Sequence, residues 1–347
     1  MASLPLYQNI NEVSQSPPNI FQLFQTAVGG LQQVLNGKSE FSAFYKDTDP
    51  FGVAILGSLL LSALALGLSE VTQNFSQVDR WWSLAPAIYV LHYSYWARLN
   101  DLSSDRIDTV AVVVAIWSIR LTYNYWRKGG YQWSSEDYRW EVIRGSIGRP
   151  AFILLNISFI SFIQNFILLA ITSPVYVFLI LAKNFPQHNS ENVATVDKVF
   201  SRGMMLAVIL EFFADQQQWN FHQAKSHYKS SGRAPPGWDK SELDRGFLYS
   251  GLWAFSRHPN FTGEQLFWVL LYQWSAFVTD SVYNWTGIGA LSYLLLFQGS
   301  TWLTERITAS KYGDYKIYQK HVSMFLPRVL TIKEGGFYFP DDSMKVD

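Results

Sequence analysis

The sequence predicts an all-α protein, a polytopic membrane helix bundle with about seven transmembrane helices. Of the 347 residues, 49% are hydrophobic and only 16% are charged, whereas about 25% of a soluble domain is charged. The apolar residues also come in long blocks, not in the stripes that one-sided soluble helices or strands require. Both observations favour a chain whose surroundings are largely apolar.

The charge balance and the absence of cysteine exclude several classes of function. The chain has 27 Lys and Arg against 27 Asp and Glu, so it has no general basic field for binding nucleic acid. Without cysteine, it can form no disulfide, thiolate nucleophile, iron–sulfur cluster or cysteine-containing zinc site. His222 and His227 are five residues apart and do not share a helical face, so we expect no metal site.

The N-terminal segment, residues 1–50, is predicted to contain one amphipathic helix. After Asn19, a candidate N-cap, apolar residues recur at helical spacing up to Leu35, with glutamines between them. The helix could lie on a membrane surface, or it could pack as a short soluble helix on the rest of the chain.

Spanning a bilayer takes about 20 apolar residues, and seven blocks qualify as candidates: 51–69, 81–97, 108–126, 150–182, 203–221, 264–280 and 286–303. The fourth block is longer than one perpendicular crossing needs, and Pro174 is a candidate break within it. One crossing of this block gives seven spans. Two crossings give eight and move the N-terminus to the other side.

The distribution of basic residues indicates the orientation, because cytosolic loops are enriched in Lys and Arg. Basic residues cluster in loop 127–149, in the loop after the fifth block and in the segment after the last block. With seven spans all three stretches fall on one side. We therefore expect a cytosolic C-terminus and a luminal N-terminus, and the eight-span version fits only the later loops.

Two of the predicted spans carry charges. Glu211 and Asp215 are four residues apart and share a helical face, and Arg120 and Asn124 form a second polar face. Charges inside spans are costly and usually face a cavity or a partner. Arg120 could simply neutralise one of the carboxylates, or the carboxylates could bind a ligand.

Two polar elements follow in the C-terminal third. In segment 251–264, Arg257 and His258 supply donors, Pro259 stiffens the turn and Gly263 permits close backbone approach before a helix begins. Such a turn could be an anion site or an ordinary helix cap. The second element follows the last predicted span and contains Glu305, Lys311, Tyr312 and Tyr315.

These elements carry a resemblance to a known superfamily. Ser-Arg-His-Pro-Asn-Phe-Thr-Gly-Glu at 256–264, followed by Glu305 and by Lys-Tyr-Gly-Asp-Tyr at 311–315, resembles the C-terminal region of steroid 5α-reductases, sterol reductases and isoprenylcysteine carboxyl methyltransferases. Segment 135–140, with Trp117 and Arg120 ahead of it, resembles the mostly uncharacterised 5α-reductase-like branch. The resemblance covers residues 79–327. We therefore divide the chain into segment 1–50, a steroid 5α-reductase-like transmembrane domain at 51–330 and a disordered tail at 331–347.

The resemblance implies an enzyme of the endoplasmic reticulum membrane whose cytosolic C-terminal region binds NADPH. Asn260, Gly263 and Glu264 match the reductase motif, and Asp215 matches an aspartate near the cofactor. Arg257 and His258 match the Arg-His-Pro form that sterol reductases share with the methyltransferases. The predicted cofactor-binding residues are Asp215, Arg257, His258, Asn260, Gly263, Glu264, Glu305, Lys311, Tyr312 and Tyr315.

The substrate side is predicted from the N-terminal half. Alignment through Arg120 puts Trp117 where the steroid enzymes have a carbonyl-polarising Tyr, and the predicted substrate-binding residues are Trp117, Arg120 and Glu211. Asp137 and Tyr138 are the candidates for proton delivery. Asp137 could alternatively form a loop ion pair with Arg139 or Arg144.

The expected function is NADPH-dependent reduction of a carbon–carbon double bond in a lipid or steroid-like substrate. Two alternatives stay open: a methyltransferase that uses S-adenosylmethionine on a lipidic substrate, and a non-catalytic lipid-binding membrane protein. The expected partners are this substrate and the membrane lipids.

Overall fold

The computed structural model describes residues 4–188, 191–328, 331–332 and 335–339, and within these ranges the chain is helical. The N-terminal part contains α1 (Ile10–Gln15), α2 (Ile20–Leu35) and α3 (Phe41–Asp47). Over the described residues, β-structure is limited to an isolated parallel bridge between Ser256 and Ser323. The all-α prediction is therefore confirmed for this part of the chain.

The remaining elements follow in chain order. They are α4 (Pro50–Thr72), α5 (Gln77–Trp81), α6 (Ala85–Leu99), α7 (Asp105–Arg127), α8 (Tyr138–Ile147), α9 (Arg149–Leu155), a π-helix (Asn156–Ile163), α10 (Gln164–Ala170), α11 (Ser173–Asn184), a 3-10 turn (Pro186–His188), α12 (Glu191–Ser231), α13 (Lys240–Arg245), a 3-10 turn (Gly251–Ala254), α14 (Pro259–Val278), α15 (Gly287–Lys311) and α16 (Tyr315–His321).

The amphipathic sequence after Asn19 forms α2. The Asn19 side chain accepts a hydrogen bond from the backbone N–H of Gln22 at 3.1 Å, which satisfies one of the free donors at the helix start. The helix packs against α4, where a side chain at Gly52 would meet the backbone oxygen of Leu23 at 3.0 Å. Phe21 remains 67% exposed, so α2 has both a packed face and an open apolar face.

Three helical stretches in the described part of the chain are long and apolar enough to span a membrane: Pro50–Thr72, Asp105–Arg127 and Arg149–Asn184. They indicate a membrane protein. The other predicted spans fall in α6, α12, α14 and α15. These helices are shorter, or interrupted by polar and charged residues such as Glu211 and Asp215, so seven spans and the orientation of the C-terminus stay predictions.

The long fourth block contains local irregularities. Residues 156–163 form a π-helix, and a turn at 171–172 separates α10 from α11, which has Pro174 in its first turn. Pro lacks a backbone N–H and is tolerated at the start of a helix. The predicted break therefore lies just before Pro174.

The chain divides into two compact units. The first comprises Met1–Met204 and Trp268–Leu294, and the second comprises Met205–Phe267 and Leu295–Asp347. In the second unit, aromatic side chains form a buried cluster that includes Phe247, Tyr318 and Phe337.

The predicted disordered tail is described at 331–332 and 335–339, and residues 333–334 and 340–347 lie outside the described part. Phe337 donates its backbone N–H to the carbonyl oxygen of Ala254 at 3.1 Å. Phe337 and Phe339 are both buried in the aromatic cluster. Two buried aromatic rings thus anchor residues 335–339, and the disorder of the tail as a whole stays a prediction.

Candidate functional site

The predicted site residues fall into two groups. All ten predicted cofactor-binding residues lie in the second unit, together with Glu211. The other predicted residues, Trp117, Arg120, Asp137 and Tyr138, lie in the first unit. We describe the geometry of each group within its own unit.

In the second unit, the turn that begins α14 is tied to the segment after α16. The backbone N–H groups of Arg257 and His258 donate to the carbonyl oxygens of Ser323 at 2.9 Å and Met324 at 3.1 Å. Pro259 occupies the first position of α14, where a missing N–H carries no penalty. The Arg-His-Pro sequence therefore forms a turn that is fixed on both sides.

Arg257 and Glu305 form a buried bidentate ion pair. Arg257 Nε lies 2.6 Å from Glu305 Oε1, and Nη2 lies 2.9 Å from Oε2. The remaining nitrogen, Nη1, donates to the carbonyl oxygens of Gln319 and Val322. His258 Nε2 also contacts Glu305 Oε1 at 3.0 Å. All three guanidinium nitrogens are thus engaged within the protein.

The charge states in this cluster follow from its contacts. Burial would raise the pKa of Glu305, but hydrogen bonds from His258 and Arg257 outweigh it and hold the pKa at about 2. Burial lowers the pKa of the His258 imidazole, although Glu305 acts in the opposite direction. The Glu305 carboxylate is therefore ionised at neutral pH.

This geometry bears on the predicted binding role of Arg257. The side chain is 8% exposed, and a contact with a cofactor phosphate would require it to exchange bonds that it makes to Glu305 or to backbone carbonyls. Arg257 and Glu305 are placed as an internal brace between the start of α14 and the end of α15. Tyr315, also buried, contributes its hydroxyl to Glu305 Oε1 at 3.4 Å.

Asn260 and Asp215 form a second polar pair in the same unit. The Asn260 amide Nδ2 donates to Asp215 Oδ1 at 3.0 Å. One turn further along α14, a side chain at Gly263 would meet Glu211 Cγ at 2.5 Å and the backbone oxygen of Ala207 at 3.0 Å. Glycine therefore permits the close approach of α14 to α12, and this approach brings the predicted residues Asp215, Glu211 and Asn260 onto facing helices.

A basic cluster surrounds Tyr312. Lys225 Nζ donates to the Tyr312 hydroxyl at 2.8 Å and to the carbonyl oxygen of Gly246 at 2.5 Å. Burial would raise the pKa of Tyr312, but Lys225, and then Lys311 and Lys229, lower it overall. Three lysine ammonium groups are thus close enough to the Tyr312 hydroxyl to favour its ionised form.

The sequence interpretation named Lys311 and Tyr312 but missed Lys225 and Lys229. Both lysines follow the fifth predicted span, where their positive charge indicated only that the loop is cytosolic. Lys225 lies 87 positions from Tyr312 in the chain, and no local motif relates the two positions.

In the first unit, Asp137 is paired. Its carboxylate contacts Arg139 Nε at 2.8 Å and Nη2 at 2.7 Å, and it also caps α8 by accepting the Arg139 backbone N–H. Burial would raise the pKa of Asp137, but the bonds from Arg139 lower it overall. Arg144 instead pairs with Glu136 at 2.9 Å. Of the alternatives considered for Asp137, the ion pair with Arg139 is the one that the structure contains, while Tyr138 is half-exposed.

Near Asp137 lies a carboxyl group that the sequence interpretation missed. Burial raises the pKa of Asp79, and the neighbouring Asp137 carboxylate raises it further. The buried Oδ2 of Asp79 and the hydroxyl of Tyr131 have no hydrogen-bond partner among the described residues. Tyr125 packs edge-on against Tyr131, with ring centres 5.0 Å apart. Buried polar atoms without partners are costly, and they often mark a place that a ligand or water fills.

The predicted substrate-binding residues on α7 differ in their surroundings. Trp117 is completely buried and packs edge-on against Trp268 at 5.0 Å. Arg120 is half-buried one turn later. Trp117 is thus a packed core residue of the first unit, and its predicted contact with substrate stays a prediction.

Residues 65–322 match a family model described as "Protein of unknown function (DUF1295)". The chain belongs to the DUF1295 family. This family is in general steroid 5α-reductase-like, which agrees with the resemblance carried by the sequence motifs. The chain is also similar to an uncharacterised protein of Schizosaccharomyces pombe, C594.04c, with 37% identity over 314 residues that cover 90% of this chain and 88% of the relative. No solved structure matches the chain.

Proposed function

We propose that this DUF1295 protein is a membrane-embedded reductase that uses NADPH to reduce a carbon–carbon double bond in a lipid or steroid-like substrate. The observation that carries the proposal is the composition of the second unit. The Asn260–Asp215 pair and the basic cluster of Lys225, Lys229 and Lys311 occur within one compact unit.

These side chains fit the chemistry of the cofactor. Phosphate groups bind to lysine ammonium groups, and Lys225, Lys229 and Lys311 would take them. The carboxylate of Asp215 and the amide of Asn260 offer an acceptor and a donor to the ribose hydroxyls or the carboxamide of a nicotinamide nucleotide. When bound, NADPH supplies a hydride to the substrate.

The other residues of the second unit have supporting roles in this proposal. The ion pair of Arg257 and Glu305 fixes the turn that presents Asn260, and Gly263 keeps α14 close to Glu211. Residues held by buried contacts keep a binding site in one geometry, which lowers the entropy lost on binding.

Reduction of an activated double bond also needs a group that polarises the carbonyl oxygen of the substrate as hydride adds to the β-carbon. Asp137 is poorly suited to donate a proton because Arg139 keeps its carboxylate ionised. Tyr138 remains a candidate, and we add Asp79, whose raised pKa favours the protonated form.

The first experiment is a thermal-shift titration of the detergent-purified protein with NADPH, NADH and S-adenosylmethionine. At about 100 times its dissociation constant, a bound ligand stabilises the fold by roughly 2.7 kcal/mol. We expect stabilisation by NADPH, its loss in Asn260→Ala, and its retention in Asn220→Ala, a control at an exposed Asn of α12. A shift with S-adenosylmethionine alone would support the methyltransferase, and no shift with any ligand would support a non-catalytic protein.

We also propose that the protein resides in the endoplasmic reticulum with its C-terminus in the cytosol. The basic stretches at 127–149 and after α12 support this orientation. In sealed microsomes, a C-terminal epitope should be digested by added protease without detergent. Protection of that epitope would reverse the proposed topology.

A further inference from the structure

A small cavity in the first unit is lined by five apolar side chains and by two polar ones, Ser103 and Arg106. It has a volume of about 20 Å³ and lies between the start of α7 and the end of α11. The lining residues are Ser103, Arg106, Ile107, Phe178, Leu181, Ala182 and Phe185. Neither the sequence motifs nor the proposed reductase uses any of these residues.

Arg106 is the charged group of this cavity. Its side chain is only 10% exposed, and its Nε donates to Asp197 Oδ1 at 2.9 Å. The same carboxylate oxygen accepts the indole N–H of Trp274 at 2.8 Å, and the guanidinium carbon lies 5.5 Å from the centre of the Phe178 ring. Arg106 is thus held in place on two sides.

One nitrogen of the Arg106 guanidinium makes no hydrogen bond to the part of the chain that the structure describes. Arg106 Nη2 is buried, and no residue in the described ranges accepts a hydrogen bond from it. An unmatched donor on a buried cation is costly, because it has lost water without gaining a partner. A group from outside the chain with an acceptor oxygen would remove this cost.

The position of the cavity indicates where that oxygen comes from. Arg106 lies in the first turn of the candidate span Asp105–Arg127, and Ala182 lies in the last turn of the candidate span Arg149–Asn184. The ends of membrane spans lie at the depth of the lipid headgroups. The cavity therefore combines an arginine donor with apolar walls at a headgroup level.

We propose that the cavity binds the headgroup phosphate of a glycerophospholipid, with one phosphate oxygen on Arg106 Nη2. Arginine matches phosphate oxygens through directed, charge-assisted hydrogen bonds. The volume admits one or two oxygen atoms, not a whole headgroup, so the rest of the lipid remains in the bilayer. A cavity of this volume would also hold one water between Arg106 and Ser103, and the probes and variants below distinguish a water from a lipid phosphate.

The test uses delipidated protein in detergent and three probes: dioleoylphosphatidylglycerol, dioleoylglycerol and inorganic phosphate. Binding is measured by thermal shift, and the retained lipid is identified by native mass spectrometry. We expect phosphatidylglycerol to bind and raise the melting temperature, and dioleoylglycerol, which lacks the phosphate, to bind at least about tenfold more weakly.

Two variants and a control make the result specific. Arg106→Gln removes the donor, and Ala182→Leu fills the cavity while leaving the ion pair of Arg106 with Asp197 intact, so a folding defect in the first variant does not prevent the test. Both should weaken phosphatidylglycerol binding at least about tenfold. Arg98→Gln, which alters an exposed ion pair with Asp108, should not.

Equal lipid binding by the wild type and both variants would overturn the proposal. A full thermal shift with inorganic phosphate alone, and no phospholipid retained in the mass spectrum, would overturn it as well, because the occupant would then be a free anion. The proposal is independent of the reductase, since binding is measured without NADPH.

Discussion

Arg257 and Glu305 face each other through two parallel hydrogen bonds, Nε to Oε1 at 2.6 Å and Nη2 to Oε2 at 2.9 Å, with both side chains less than 10% exposed. They are 48 positions apart in the chain. The pair therefore links two helices of the second unit at the point where the Arg-His-Pro turn begins α14. The third guanidinium nitrogen of Arg257 donates to backbone carbonyl oxygens. The contact between Arg257 and Glu305 is therefore a structural brace.

Removing one member of the pair should destabilise the protein strongly. Glu305→Gln leaves the guanidinium of Arg257 buried without a countercharge, and breaking a buried ion pair in this way costs about 3–5 kcal/mol. The measurement is thermal unfolding in detergent. Asp239→Asn, at an exposed carboxylate that makes no capping bond, is the control and should change stability by less than about 0.5 kcal/mol. Equal stability of the two variants would contradict the brace.

The same cluster predicts how stability depends on pH. The pKa of Glu305 is about 2 in the folded protein, below its ordinary value of 4.5, so its contribution is complete above pH 4.5 and is lost as the pH falls toward 2. The pKa of His258 is also lowered from 6.5. The unfolded chain therefore takes up this proton first, and stability begins to decline below pH 6.5.

We expect the unfolding free energy of the wild type to fall below pH 6.5 and to fall further below pH 4.5. Glu305→Gln should flatten the second part of this profile, because the variant has no carboxylate to protonate. The profiles are measured by chemical denaturation in detergent between pH 3 and pH 8. Parallel profiles for the two proteins between pH 3 and pH 4.5 would show that Glu305 does not carry this dependence.

Two helical glycines of the second unit provide a matched test of helix packing. A side chain at Gly263 would lie 2.5 Å from Glu211 Cγ and 3.0 Å from a backbone oxygen, whereas one at Gly299 would meet nothing within 4 Å. Gly263→Ala should cost roughly 1–3 kcal/mol through overpacking, and Gly299→Ala should be neutral or stabilise the helix by up to about 1 kcal/mol. Thermal unfolding of the two variants checks this order, and a reversed order would exclude close packing at Gly263.

The sequence alone predicted the helical class, the three long apolar helices and the break near Pro174, because these depend on local composition and length. It also predicted that Asp215 and Asn260 belong to one site, through a motif and not through their spacing. The predicted spans in α12, α14 and α15 have a weaker apolar signal, because polar residues such as Glu211 interrupt them.

What the sequence could not predict are contacts between distant positions. Lys225 reaches Tyr312, and Arg257 reaches Glu305, only after the chain has folded. The motif predicts Arg257 as a donor to an anion but does not show that the Glu305 carboxylate already accepts two of its hydrogen bonds. Asp79 was missed because no sequence pattern distinguishes a buried carboxyl from an exposed one.

The contact between Lys225 and Tyr312 should be measurable as a coupling. In a double-mutant cycle, Lys225→Met and Tyr312→Phe remove the two partners of the 2.8 Å hydrogen bond, and residues in direct contact typically show coupling energies of about 0.5–3 kcal/mol. Under the proposed function, Lys225→Met should also weaken NADPH binding in the thermal-shift titration. Lys320→Met, at an exposed position of α16, is the control. No coupling, together with unchanged NADPH binding, would remove Lys225 from the site.

The acid of the proposed reaction can be identified once an enone lipid that supports NADPH oxidation is found. Asp79→Asn keeps the shape of the side chain but removes the transferable proton, and general acid catalysis typically contributes 10²–10⁴-fold. We therefore expect kcat to fall by at least about 100-fold in Asp79→Asn while the protein still binds NADPH. Asp137→Asn should instead lower stability, because it removes the carboxylate charge that pairs with Arg139 while the amide oxygen can still cap α8. Tyr138→Phe distinguishes the two remaining candidates: full turnover in this variant would rule out Tyr138, whereas full turnover in Asp79→Asn would rule out Asp79 and leave the phenol as the proton donor.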